Sequence, residues 1–307
     1  MNTIAKRCSI LRFPVIAVLV ALGQCAQAQE LTPRAYWPAP VGTDVLVVGY
    51  VHNTGDILVD PSLPITGVES DIDAFAVTYQ RALDVLGRSA SVQFNLPYSN
   101  GLTEGFVEGE YRQRKTVGLA DMRARFAINL AGAPAMDPAG FMALRQAPQP
   151  IVGASVVVQA PTGEYDADRL INVGTNRWSI KPAIGAIIPL RPTWLLELEL
   201  GAWFYGDNDD YQGETREQDP IVSLSAHLIK RLRPGFWLSL DANYYKGGET
   251  RVGDAPPLNL QRNSRAGFTV VMPFRGRQAL RGSFSTGVET RSGGDFDSYS
   301  LAYIVAW

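Results

Sequence analysis

The stretch that most constrains this chain is its last, 296–307, where large and small residues alternate. Tyr299, Leu301, Tyr303, Val305 and Trp307 take the odd positions; Ser298, Ser300, Ala302 and Ala306 take even ones, with Ile304 the exception. A period of two puts the two sets on opposite faces of a β-strand. The large face carries aromatics at both ends and aliphatics between them, as a strand would that crosses a bilayer between two aromatic girdles. An edge strand of a soluble sandwich shows the same alternation, so this strand alone leaves both folds open.

The alternation recurs. After a proline-containing arm, 44–53 is apolar on both faces, and 70–83 sets Phe75, Val77 and Tyr79 against Ala74, Ala76, Thr78 and Gln80. In 89–98, Ala90, Val92, Phe94, Leu96 and Tyr98 alternate with Ser89, Ser91, Gln93 and Asn95. In 121–130, Met122, Phe126, Ile128 and Leu130 oppose Arg123, Arg125 and Asn129. Further strands are expected at 151–161, 178–188, 193–205, 221–232, 236–245, 264–272 and 279–290. With the last stretch this makes about 12, each near the ~9–11 residues of a tilted membrane strand.

The connections separate sandwich from barrel. Links after even strands are short, as at 189–192, 233–235 and 274–277, whereas links after odd strands, such as 54–69, 99–118, 206–218 and 246–263, are long and polar. Short turns at one end and long loops at the other match the periplasmic and extracellular ends of a membrane barrel. One long link, 131–150, breaks the rule, and 137–144 within it is expected to hold a helical turn. The expected fold class is therefore all-β: a transmembrane, antiparallel, up-and-down β-barrel of bacterial outer-membrane type. The aromatic close of the final strand resembles the assembly signal of such barrels, which makes Tyr299, Leu301, Tyr303, Val305 and Trp307 its lipid-facing and assembly residues.

The amino terminus agrees with export. Lys6, Arg7 and Arg12 precede an apolar run (13–22), and Ala26-Gln27-Ala28 offers a small-x-small cleavage site. This pattern predicts a signal peptide at 1–28, an N-terminal periplasmic arm at 29–43 and a barrel at 44–307. Both cysteines, Cys8 and Cys25, fall in the predicted signal, which removes disulfides, thiolate metal sites and cysteine nucleophiles from the mature chain. Gln24 stands where a lipoprotein box wants a small residue, so lipidation at Cys25 is not expected. Losing three basic residues takes the net charge from −2 to about −5, so no basic field calls for nucleic acid.

Several phrases resemble one family. They are Gly87-Arg88-Ser89 before Leu96-Pro97-Tyr98, Gly118-Leu119-Ala120-Asp121, Pro161-Thr162-Gly163-Glu164-Tyr165, Asn172-Val173-Gly174-Thr175-Asn176-Arg177-Trp178, Trp237-Leu238-Ser239-Leu240-Asp241 and Gly247-Gly248-Glu249-Thr250. In this order the chain resembles the outer-membrane transporter family labelled as the meta-pathway of phenol degradation. The resemblance implies passive uptake of small, often aromatic or weakly polar compounds. It supplies no binding residues.

If the apolar faces meet lipid, the opposite parity lines the lumen with Asp121, Arg123, Arg125, Lys181, Glu197, Glu199, His227, Asp241, Arg265, Arg281 and Glu289. These residues suit either a polar constriction that selects solutes or a network that fills a modest bore. No catalytic, cofactor-binding or metal-binding residue is expected. His52 and His227 stand on the first and eighth strands, and the acidic run Asp207-Asn208-Asp209-Asp210 lacks the following residues of a calcium loop. The expected partners are outer-membrane lipid and lipopolysaccharide, the barrel-assembly machinery during biogenesis and a small-molecule permeant. The alternatives are a non-transporting barrel with a surface-binding or structural role and, more remotely, an outer-membrane hydrolase.

Replacing Tyr303 and Trp307 by serine removes an assembly signal and a girdle anchor together. The variant is expected to lose heat-modifiable migration in outer-membrane fractions, while Ser300→Ala keeps it; equal tolerance of both changes would show that the faces are misassigned.

Overall fold

The computed structural model describes residues 32–59, 65–254 and 259–307, so the predicted signal peptide lies outside the described residues. Twelve strands, each hydrogen-bonded to its antiparallel neighbour, run around the barrel: β1 (Asp44–Leu58), β2 (Ile65–Val85), β3 (Arg88–Val107), β5 (Arg123–Ala131), β6 (Ile151–Gln159), β7 (Ser179–Arg191), β8 (Trp194–Tyr205), β11 (Ile221–Arg233), β12 (Phe236–Gly247), β14 (Gln261–Pro273), β15 (Gln278–Thr290) and β16 (Gly293–Ala306). β16 pairs with β1 from Val45↔Ala306 to Leu58↔Gly293 and closes the ring. Closure satisfies the backbone N–H and C=O groups that hydrocarbon cannot. No helix among the described residues is long and apolar enough to cross a membrane.

The outer wall carries the predicted apolar faces. Val48, Phe75, Leu96, Ile184, Leu200, Leu224, Leu240 and Leu301 are all exposed on it. Aromatic rings meet across neighbouring strands of this wall, with Phe268 to Phe284 at 5.9 Å and Phe284 to Tyr299 at 5.0 Å. Tyr50 and Phe75, 5.1 Å apart, form a second pair on β1 and β2. These are girdle contacts of the kind that seat a barrel at a lipid–water boundary.

Four long links expected to be loops hold strand structure. β1 and β2 run on to Leu58 and Ile65, and β3 continues into a hairpin with β4 (Glu110–Leu119). In the barrel-wall sheet β4 pairs with β3 alone, leaving its other edge without a strand partner there. β9 (Asn208–Tyr211), β10 (Glu214–Gln218) and β13 (Thr250–Val252) form a separate three-stranded sheet. Polar residues concealed these extensions, because a strand beyond the membrane needs no lipid-facing side. The exceptional link on the short-turn side holds helix α1 (Pro138–Gln146), started by Asp137, whose side chain accepts the Gly140 N–H at 2.8 Å.

The arm does not hang free in the periplasm. Residues 34–37 enter the lumen, where Tyr36 is buried with Ala133, Ile151, Ile187, Leu195, Ile229 and Trp237. Two glycines facing each other across β6 and β7, Gly153 and Gly185, make its notch. A Cβ on Gly185 would lie 2.1 Å from the Tyr36 ring, and one on Gly153 would lie 2.4 Å from it. Hydrogen bonds from Val41 N to Met136 O (2.9 Å) and from Gly42 N to Ala82 O (3.0 Å) fix the arm as it leaves toward β1.

Candidate functional site

The lumen is filled on one side and part-open on the other. On β11, β12 and β14 the inward residues Ser223, Ser225, His227, Ser239, Asp241, Asn243, Arg265 and Thr269 are buried. On β15, β16, β1 and β2 the inward residues Ser283, Ser285, Ser300, Gly49, Val51, Ala74, Ala76 and Thr78 are only half-buried. Solvent reaches the second wall from within because small side chains leave space beside the arm. The first wall projects longer groups that meet one another. The candidate site is this eccentric passage.

The packed side is a bonded network. Asp241 takes His227 Nδ1 at 2.8 Å on one oxygen and the Thr269 hydroxyl at 2.8 Å on the other. Glu197 is buried and accepts the backbone N–H groups of Arg34 (2.6 Å) and Tyr36 (3.3 Å). Glu199 receives Lys181 Nζ at 2.7 Å and the Tyr36 hydroxyl at 2.9 Å. Arg265 donates to the carbonyls of Phe296 (2.7 Å) and Ser285 (3.3 Å) and to the hydroxyls of Ser285 and Ser298. A buried charge without such partners would be costly, so these groups hold the arm and wall in one arrangement.

A crossbar narrows the extracellular end. Residues 160–178, between β6 and β7, turn inward and are tied down by Asp121. Its carboxylate accepts Gly163 N (2.9 Å), Thr175 N (2.9 Å), the Thr175 hydroxyl (2.5 Å) and Gln159 Nε2 (3.1 Å). Gly163 and Gly174 meet so closely that a Cβ on Gly163 would lie 2.6 Å from the Gly174 Cα. From this root the loop reaches the far wall, since β6 and β7 stand across the ring from β15 and β16. Ile171 packs there on Ile57, Ile65, Val68 and Phe296, and Leu170 packs on Tyr211 and Val252 of the small outer sheet. At the root, burial, with repulsion from Arg216, draws the Arg177 guanidinium down to about 9; it stacks on Tyr205 and donates to Gln218. The passage is thus lined by small residues, some hydroxyl-bearing and some apolar, with space between them, and ends in an apolar collar.

The inward acids are all held by partners, while the inward arginines are divided between the buried Arg265 and half-buried positions. Asp121, Glu197 and Asp241 are buried, and Glu199 is held by Lys181 and Tyr36. The half-buried Arg123, Arg125 and Arg281 supply positive charge. Arg123 donates to Gln159 Oε1 at 2.9 Å, and Arg125 donates to Ala35 O at 3.0 Å beneath the Tyr36 ring. Glu289 does not face the lumen. A register shift between Ser264 and Arg265 turns it out of inward parity, and it pairs at the exposed rim with Arg262 at 3.3 Å. His52 lies on the outer wall beside Asp73 at 3.0 Å, whereas His227 is inside, so the two imidazoles are on opposite faces of the sheet.

Sequence reading did not assign Tyr36, Ile171 or the collar. Traces were there: Gly153 and Gly185 interrupt otherwise bulky strands, a signature of close approach by another group. The two turn phrases of the fifth strand link bracket the crossbar. Asp121→Ala removes four acceptor contacts at its root. Its single-channel conductance in planar bilayers is expected to rise at least twofold, with heat-modifiability retained; unchanged conductance would mean that the crossbar does not limit flow.

Comparison with known proteins places this geometry. A sequence profile described as “Putative MetA-pathway of phenol degradation” matches residues 52–303. Comparison with curated proteins gave no match. Among solved structures, the COG4313 outer membrane channel from Pseudomonas putida F1 is similar over 91% of this chain and 100% of that chain, at TM-score 0.77 and 22% identity. The CymD monoaromatic hydrocarbon channel matches over 88% of this chain and 89% of its own, at TM-score 0.45 and 10% identity, a likeness too loose to bear on solutes.

Proposed function

Since the chain belongs to that phenol-degradation family, we propose that it is a narrow, passive outer-membrane channel for small, weakly polar or aromatic compounds, including aromatic acids. The observation that carries this reading is the half-open wall of small residues beside a packed half-lumen. Twelve strands lie between about 8, where side chains fill a barrel, and about 16, where a wide aqueous pore opens. Here the arm and crossbar take up much of that intermediate bore. An apolar collar disfavours strongly hydrated solutes and tolerates a ring. Arg281 on the open wall, with Arg123 and Arg125 on β5 beside the arm, favours anions over cations in the lumen. The COG4313 outer membrane channel, similar in fold along its whole length, supports a channel role.

We also read the chain as non-enzymatic. Among the described residues neither His52 nor His227 hydrogen-bonds a serine hydroxyl, and both imidazoles are bonded to aspartates. In this reading the buried lumen charges act as structure, and Arg123 and Arg125 act on the permeant. Lipopolysaccharide contacts the exposed outer strands, and the assembly machinery reads the final strand.

Liposomes containing the protein are expected to take up benzoate-sized acids faster than empty liposomes. Replacing Arg123 and Arg125 by glutamine should slow anionic solutes at least threefold more than neutral ones of the same size. Equal rates with and without protein, for every solute, would overturn the channel reading and favour a surface-binding barrel.

A further inference from the structure

The arm brings its own cations to the periplasmic mouth. Arg34 lies between two indoles, its guanidinium carbon 5.0 Å from the Trp37 ring and 5.3 Å from the Trp237 ring. Arg231 of β11 approaches the Trp37 ring at 5.5 Å. The result is an indole–guanidinium–indole–guanidinium series that latches the arm to β11 and β12. Arg231 also donates to the carbonyls of Arg145, at the end of α1, and Pro192. Arg145 is close enough to repel both other arginines.

Three guanidinium groups therefore gather at one place, and none is paired with a carboxylate among the described residues. Glu197, the acid nearest to Arg34, has its oxygens turned to the backbone N–H groups of Arg34 and Tyr36. The Arg34 side chain donates no hydrogen bond among the described residues, and its Nε is shut from solvent. Arg231 Nε and Trp37 Nε1 are also buried without an acceptor. Burial, opposed by Glu197 and reinforced by Arg145 and Arg231, draws the Arg34 pKa down to about 10. Clustered like charge with unmet donors is unfavourable until an acceptor arrives, and a guanidinium fork matches a carboxylate in shape as well as charge.

We infer that Arg34, Arg145 and Arg231 form an anion-binding site at the periplasmic mouth, and that its ligand is the carboxylate of a small aromatic acid. The two indoles hold the Arg34 guanidinium in place at the mouth, and the aromatic part of the ligand is taken from the channel reading. This deepens the channel reading and rests on it for the source of the ligand. The site itself is tested by binding alone.

Calorimetric titration of the full chain in detergent with benzoate, with benzamide as its neutral counterpart and with inorganic phosphate measures this directly. Benzoate is expected to bind saturably and at least tenfold more tightly than benzamide or phosphate. Arg34→Gln and Arg145→Gln should each weaken benzoate at least fivefold. Arg34→Gln also disturbs the latch, but among the described residues the Arg145 guanidinium stacks on Phe141 of its own helix and not on the arm, so Arg145→Gln reports on charge with the arm in place. Benzamide matching benzoate, phosphate matching benzoate, or an Arg145→Gln variant that binds benzoate unchanged would each overturn the assignment. Benzoate binding without faster uptake would discard the channel and leave the site; uptake without binding would do the reverse.

Discussion

Everything in this structure depends on pairing between the first and last strands of the barrel. Hydrocarbon offers no hydrogen bonds, so a sheet that enters it must leave no edge. Fourteen register positions between β1 and β16 meet that demand. Once the ring is closed, the period of two does the rest: one parity is given to lipid and the other to a lumen too small to be a wide pore and too large to be filled by the strands alone.

Two segments from outside the ring settle how that lumen is used. The arm enters from the short-turn end and is gripped through its backbone by Glu197 and through its ring by Gly153, Gly185, Ser155 and Glu199. The crossbar enters from the long-loop end and is gripped by Asp121. Both are anchored chiefly to the β5–β8 side. Their bulk and the long residues of β11, β12 and β14 pack together, which leaves space by the small residues of β15, β16, β1 and β2. The asymmetry follows from where the anchors are.

The barrel was legible because lipid imposes a rule on every strand, and period-two patterns such as Phe75-Val77-Tyr79 register that rule locally. Interior partnerships were less legible. Parity shows that Glu197 and His227 face inward, but it does not reveal that the first takes two backbone N–H groups from residues some 160 positions away. Glu289 was misplaced for a related reason: one bulge near Ser264 exchanges faces beyond it, and nothing in the local alternation marks it. The long links were read as loops because, outside the membrane, a strand loses the lipid-facing pattern that identifies it. Asp121 shows the limit most plainly. It looked like one more lumen charge, and only the folded chain reveals it as the root of the crossbar.

The central claim is that water runs along one wall of the lumen and not the other. The two natural cysteines, Cys8 and Cys25, precede the described residues, so single cysteines can be placed in the barrel without background from its wall. A small, charged, water-soluble thiol reagent should modify Thr78→Cys and Ser300→Cys readily in the folded protein. Ser225→Cys and Ser239→Cys should react at least tenfold more slowly. Equal reactivity at all four positions, or faster reaction at Ser225 and Ser239, would contradict the eccentric passage.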